Sequence, residues 1–305
     1  MSRKFGGRWF VPGSRALLLL KRGYIGDAVL ALPLLDALSE AYDEVVVCAS
    51  CRLQPVFLGR RCRWLEPPSR GNLGQLRWVR AVREARFDAA YLANRSFRAA
   101  LLVRLAGVPR RIGHATEGRS ILLTDAVPHD PSSFEADSLL SLADHLGSVR
   151  RGILPTISLQ VARDGFIRLQ PGARHAWKRP PWRKLGQAIR AVGVSASSVE
   201  LIGGPTECES CRHFGTLHAP GASIWIGGSH LEPTLERLAA SRVFLAGDTG
   251  LVHLAAALGV PTLAFLVPKV APRWGWSSER NCTLPPEASV ESVAEALQRI
   301  LNPSQ

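Results

Sequence analysis

Val243-Phe244-Leu245-Ala246-Gly247-Asp248-Thr249-Gly250-Leu251-Val252-His253-Leu254-Ala255-Ala256-Ala257-Leu258-Gly259-Val260-Pro261 decides the fold. The apolar run from Arg242 to Ala246 reads as a buried strand that breaks at Gly247. A small polar turn follows, and then an alanine-rich helix that Gly259 and Pro261 stop. Strand, turn and helix in that order leave the N–H groups of Thr249, Gly250 and Leu251 without intrahelical acceptors. A helix start of this kind carries partial positive charge and takes phosphate readily. Asp248 and Thr249 can cap the helix or bind a ligand, and His253 lies about one turn in, facing the same way. A capped helix with a satisfied histidine is the plainer reading of the same residues.

A second stretch of this kind lies near the other end. Ala16 to Leu20 fits a buried parallel strand, Lys21-Arg22-Gly23-Tyr24-Ile25-Gly26-Asp27 a glycine-bearing loop, and Ala28 to Ala41 an amphipathic helix. Asp27 sits at the expected junction of loop and helix, where an aspartate is most often an N-cap. One such turn in each half predicts an α/β protein of two Rossmann-like domains facing across a cleft. Residues 1–150 and 151–305 are the expected domains, with a turn-rich linker over Gly147 to Gly165.

The expected elements alternate as βα units require. In the first half they are strands over 16–20, 44–48 and 89–93, with helices over 28–41, 73–84, 97–105 and 134–146. In the second half, strands are expected over 166–170, 198–201, 224–226, 243–246 and 262–266. Helices are expected there over 182–192, 235–240, 251–258 and 290–301.

Lys21 to Leu30 followed by Pro33, and Gly247 to Gly250 through His253 to Thr262, together resemble the lipopolysaccharide heptosyltransferases of glycosyltransferase family 9. Leu105 to Gly113, Gln170-Pro171-Gly172-Ala173 with Lys178, and Leu201 to Pro205 with Glu207 are similar to further segments of that family, in the right order. The chain departs from the family in Lys178-Arg179-Pro180-Pro181-Trp182, where the Trp is shifted.

The resemblance implies a GT-B type fold with an acceptor-binding first domain and a nucleotide-sugar-binding second domain. It implies transfer of a heptose or related sugar from an ADP-sugar to a lipopolysaccharide-core or similar glycan acceptor. Asp27 would be the general base and Lys178 the neutralising cation for the leaving phosphate. Gly26, Glu207, Asp248, Thr249, Gly250, Leu251 and His253 would bind substrate, Glu207 at a ribose hydroxyl. A lone base with no second carboxylate nucleophile implies inversion at the anomeric carbon. No Asp-x-Asp pair of the sort that holds a divalent metal occurs in the sequence, so neither metal nor cofactor is expected. An epimerase or a transferase of another sugar on the same scaffold, and a catalytically silent nucleotide-binding protein, are the alternatives.

Composition bounds the partners. The chain has 305 residues, 38 Lys and Arg against 25 Asp and Glu, and a net charge of +13. Only five of the basic residues are lysines, and the arginines are scattered instead of forming a stripe with a nucleic-acid motif, so no nucleic acid is expected. An anionic lipid-linked acceptor and peripheral contact with a membrane fit the charge better. No apolar run reaches the ~20 residues of a membrane span, and Lys21, Arg22 and Asp27 interrupt the first apolar run too early for a signal peptide. The expected location is cytoplasmic, at the inner face of the membrane where peripheral. Cys48 and Cys51, and Cys208 and Cys211, are too far apart in sequence for a compact zinc module. None of the eight tryptophans is read as a ligand.

Overall fold

A computed structural model describes residues 3–5, 8–10, 13–147, 150–276 and 278–302. The chain divides into two compact units, Met1–Pro155 and Thr156–Gln305.

The first unit opens with an antiparallel hairpin of β1 (Arg3–Phe5) and β2 (Arg8–Phe10). Its sheet is built from β3 (Arg15–Leu19), β4 (Glu44–Cys48), β5 (Arg63–Leu65), β6 (Ala89–Leu92), β7 (Arg110–His114) and β8 (Asp125–Val127). All neighbours pair in parallel, in the order β5-β4-β3-β6-β7-β8. Helices α1 (Ile25–Leu30) and α2 (Leu32–Ala41) follow β3. Then come α3 (Asn72–Glu84), α4 (Phe97–Leu105) and α5 (Glu135–Leu140). One sheet face, with Leu17, Leu19, Val46, Ala90 and Leu92, packs against Trp78, Val79 and Val82 of α3 and Ala100 and Val103 of α4. Period-2 alternation sends Ala16, Leu18, Val45, Val47 and Tyr91, all buried, to the other face.

The helix expected over 28–41 is two helices. Pro33 stands in the first turn of α2, where it has no N–H to give and its ring would crowd the carbonyl of Val29 in a continuous helix. The first of the two begins at Ile25, earlier than expected, with Tyr24 as its cap residue. Asp27 is therefore inside the first turn, and the N-cap reading of it is corrected. The helix expected over 134–146 keeps α-geometry only to Leu140 and continues as a 3₁₀ turn, Ser141–Leu146.

The second unit repeats the plan. Its strands are β9 (Ile167–Gln170), β10 (Val199–Gly203), β11 (Ser223–Ile226), β12 (Val243–Gly247), β13 (Thr262–Phe265) and β14 (Asn281–Leu284). They pair in parallel in the order β11-β10-β9-β12-β13-β14. The helices are α6 (Trp182–Ala191), α7 (Cys208–His218), α8 (Glu232–Ala239), α9 (Gly250–Ala257), α10 (Ala271–Trp274) and α11 (Val290–Leu301). Ile167 and Leu169 enter a core with Leu185, Phe214, Leu245, Phe265 and Leu297. Arg168 alternates to the opposite face and is buried in an ion-pair chain, with Glu200 at 2.6 Å and Asp164 at 2.5 Å. Arg237 of α8 closes on the other oxygen of Glu200 at 2.5 Å, which ties that helix to the sheet.

In both six-stranded sheets the strand that comes first in sequence lies beside the fourth of that sheet, and the strand order reverses between them. In open α/β sheets, ligands bind outside the carboxyl ends of the strands at this switch point. The switch points are β3/β6 in the first unit and β9/β12 in the second.

Candidate active site

In the first unit the switch point carries Asp27. Parallel strand and short turn place it just beyond the carboxyl end of β3, on a helix whose neighbours Ala28, Val29 and Leu30 are fully buried. Its side chain is 24% exposed, and Lys21 Nζ stands 3.6 Å from Oδ1. Burial pushes the Asp27 carboxyl above the usual range, and the nearby charge of Glu135 adds to this; Lys21 and Arg95 act the other way. Glu135 is buried and held by Arg95 at 2.8 Å. A carboxylate with a raised pKa, half-shielded and next to cations, has the properties of a base for a sugar hydroxyl. Gly26, beside it in the first turn, is buried.

In the second unit the switch point gathers every remaining candidate. The 3₁₀ turn Ala176–Lys178 follows β9 and meets the end of β12. The amide of Asp248 donates to the carbonyl of Lys178 at 2.9 Å, and Lys178 Nζ pairs with Asp248 Oδ2 at 2.7 Å. Trp182, the shifted residue, starts α6 and donates from Nε1 to the carbonyl of Pro171 at 2.9 Å. It packs edge-on against Phe214. The shift thus leaves Lys178 beside Asp248.

Thr249 is the cap residue of α9 but makes no capping bond; its hydroxyl donates to Gln170 Oε1 at 2.7 Å. The same amide donates from Nε2 to both oxygens of Glu207, each at 3.0 Å. Glu207 also accepts the N–H of Gly204 at 2.9 Å. Gln170 therefore joins Glu207 to Thr249 across the ends of β10, β9 and β12. The first-turn N–H groups of Gly250 and Leu251 have no intrahelical acceptor and stay open to an anion.

His253 is buried, and Trp276 Nε1 donates to its Nδ1 at 2.9 Å. That bond assigns the proton to Nε2. Burial lowers the His253 pKa to about 4, so the ring is neutral near pH 7 and acts as a hydrogen-bond donor, not a cation. Sequence reasoning missed four of these partners: Arg95, Glu135, Gln170 as a bridge, and Trp276. Only Gln170 left a local signal, as a polar residue at the end of an apolar strand. The others reach the site through tertiary packing. The six cysteines are free, and among the described residues no cluster of His, Cys, Asp or Glu is arranged to hold a metal.

The profile of glycosyltransferase family 9 (heptosyltransferase) matches residues 75–285. The chain belongs to glycosyltransferase family 9. The matched span is most of the protein and includes Lys178, Glu207 and Asp248 to His253; Asp27 precedes it. Lipopolysaccharide heptosyltransferase 2 of Escherichia coli K12 is 24% identical over 294 residues, covering 83% of this chain and 82% of the relative. The solved E. coli ADP-heptose lipopolysaccharide heptosyltransferase II superposes with a TM-score of 0.75 at 21% identity. That match covers 94% of this chain and 98% of the other. E. coli heptosyltransferase WaaC with ADP gives 0.74 at 17% identity, covering 94% and 99%. The family 9 transferase thus has the GT-B type fold expected from its sequence: two Rossmann-like units, each a six-stranded parallel sheet with helices on its faces. Among the described residues, no helix is long and apolar enough to cross a membrane.

Proposed function

We propose that this transferase moves a heptose or related sugar from an ADP-sugar to a lipopolysaccharide-core or similar glycan acceptor, with inversion and without a metal. The first unit would bind the acceptor and the second the donor. The observation that carries the reading is the open N-terminus of α9 with the Lys178 ammonium held beside it by Asp248: unpaired amides and a lysine are groups that a diphosphate requires. The E. coli relatives, whose names specify heptosyl transfer and ADP, support the choice of sugar and nucleotide.

In this mechanism Asp27 takes the proton of the acceptor hydroxyl as its oxygen bonds to the anomeric carbon. The bond from that carbon to the diphosphate oxygen breaks, and ADP leaves with the electron pair. Attack from the face opposite the leaving group inverts the centre. Lys178 and the amides of Thr249, Gly250 and Leu251 take up the charge that develops on the phosphate. Neutral His253 donates from Nε2, Asp248 orients the ammonium and the sugar, and Glu207 meets a ribose hydroxyl. Gly26 would let the acceptor approach the backbone beside Asp27. We place the reaction at the cytoplasmic face of a membrane, where an anionic lipid-linked acceptor is presented.

Incubation with ADP-heptose and a panel of truncated lipid cores, read by mass spectrometry and by NMR of the new linkage, tests this. Heptose addition that persists in chelator, with inverted configuration, is expected. Absence of transfer to every core, or retention of configuration, overturns it.

A further inference from the structure

The outer faces of α3 and α4 carry large apolar side chains that the fold leaves in water. On α4, Phe97, Leu101 and Leu105 recur every four residues and share one exposed face. On α3, Leu73 and Leu76 are exposed side by side, Leu73 at 73%. The two helices lie on the same sheet face and are tied together by Arg98 Nε to Gln75 Oε1 at 3.0 Å and Arg83 to the carbonyl of Leu105 at 2.6 Å. Ile121, 75% exposed, continues the surface, held by Arg104 to its carbonyl at 3.3 Å. Six exposed apolar side chains thus stand on three adjoining elements of one surface, an arrangement uncommon on a surface without a partner.

Cations run through it. Arg77, Arg80, Arg83, Arg98 and Arg104 are all exposed, and among the described residues only Arg80 is paired with a carboxylate, Glu84. Arg83, Arg98 and Arg104 spend hydrogen bonds on neutral carbonyl or amide oxygens, which leaves their charge uncompensated, and among the described residues no carboxylate pairs with Arg77. Nucleic acid would match the arginines but not the leucines. A second copy of this chain would match the leucines, but a two-fold contact would set one arginine group against the other. An anionic lipid bilayer satisfies both: headgroups meet the guanidinium groups while apolar side chains enter the acyl boundary.

We propose that the α3–α4 face, with Phe97, Leu101, Leu105, Leu73, Leu76 and Ile121 at its centre, docks the protein on an anionic lipid surface. This deepens the reading of a lipid-linked acceptor and rests on it. The topology adds a reason for the location. In a parallel sheet the helix N-termini lie at the carboxyl edge, so Leu73, Leu76 and Phe97 sit at the same edge as Asp27. A docked face brings that edge toward the surface from which the acceptor comes.

Flotation of the purified full chain with vesicles of phosphatidylcholine, with and without phosphatidylglycerol, tests the proposal. The wild type is expected to float with the phosphatidylglycerol vesicles, less so as salt is raised, and to remain behind with phosphatidylcholine alone. Arg77→Gln with Arg80→Gln should weaken partitioning about fivefold for each charge removed. Leu76→Gln with Leu101→Gln should weaken it about tenfold or more. Ile121→Gln, at the most exposed position, serves as the apolar variant with an unchanged melt. A wild type that does not float, variants that float like the wild type, or a dimer that Leu101→Gln dissociates would each overturn docking on lipid. The vesicles contain no acceptor, so turnover on a water-soluble core is separate. Docking that fails while turnover persists sinks this proposal alone; turnover that fails on every acceptor sinks the transferase reading.

Discussion

The carbonyl oxygen of Lys178 lies 1.9 Å from where a β-carbon on Gly247 would stand. No side chain fits there while the Lys178 segment keeps its place, and the neighbouring amide of Asp248 holds it there at 2.9 Å. The last residue of β12 is glycine so that the loop after β9 can close onto it. Gly247→Ala should then push the Lys178 turn outward. We expect a loss of about 1–3 kcal/mol in stability, seen as a melting temperature lower by about 2–12 °C, together with weaker ADP binding. An alanine variant with wild-type melt and affinity would show that the turn yields without cost.

Removing the ammonium itself gives a second prediction. Lys178→Ala leaves the Asp248 carboxylate uncompensated at the place proposed for the diphosphate, so binding loses an attraction and gains a repulsion. ADP affinity measured by calorimetry should fall about 10- to 100-fold, and turnover should fall with it. Adding Asp248→Asn should recover part of the affinity. Unchanged affinity in the single variant would transfer the phosphate role to Arg174 or Arg179.

Asp27 makes the third. Its carboxyl is raised by burial, so the folded protein holds the proton to higher pH than the unfolded chain does. Ionisation of Asp27 therefore costs stability, progressively as pH rises from the unfolded carboxylate range through the folded value. Asp27→Asn removes that cost and should melt no lower than the wild type at neutral pH. Turnover should nevertheless fall by about 10²–10⁴-fold. The acid limb of the wild-type kcat/KM profile should lie above the ordinary aspartate range and vanish in the variant. An active Asn variant would remove Asp27 from the chemistry, and the helix geometry has already removed it from the cap.

A fourth prediction concerns the His253 ring. With a pKa of about 4 it remains neutral from pH 5 to 8, so no activity limb in that range belongs to it. Trp276→Phe deletes the donor to Nδ1 and frees the proton to move between the two nitrogens. Nitrogen NMR should show the Nε2–H tautomer alone in the wild type and a mixture in the variant. ADP affinity should fall modestly, within about tenfold. A wild-type ring protonated on Nδ1 would contradict the bond from Trp276.

The legible part of this protein was what depends on local period and punctuation. The strands over 44–48 and 243–246 and the helices over 97–105 and 290–301 stand where apolar spacing puts them, to within a residue. β5, β8 and β14 were not legible: they are short, and polar or half-exposed side chains blur their alternation. α7 escaped because Cys208 to His218 shows only Cys211 and Phe214 buried, too few for a clear apolar stripe. At the site, the motifs named Lys178, Glu207 and Asp248 to His253. Nothing local could say that Gln170 would bridge two of them, or that an indole 23 positions on would fix the tautomer of His253.

Gln170 has no freedom to turn over. Its NH₂ faces the Glu207 carboxylate and its oxygen takes the Thr249 hydroxyl; reversing the amide would set its oxygen against the acceptor-only carboxylate and lose both bonds to Glu207. The two ends of the proposed donor pocket are consequently one heritable unit and not two. A library that varies Glu207 and Thr249 separately samples mostly mismatched neighbours, and a useful change at either position will surface only alongside a compensating choice at Gln170.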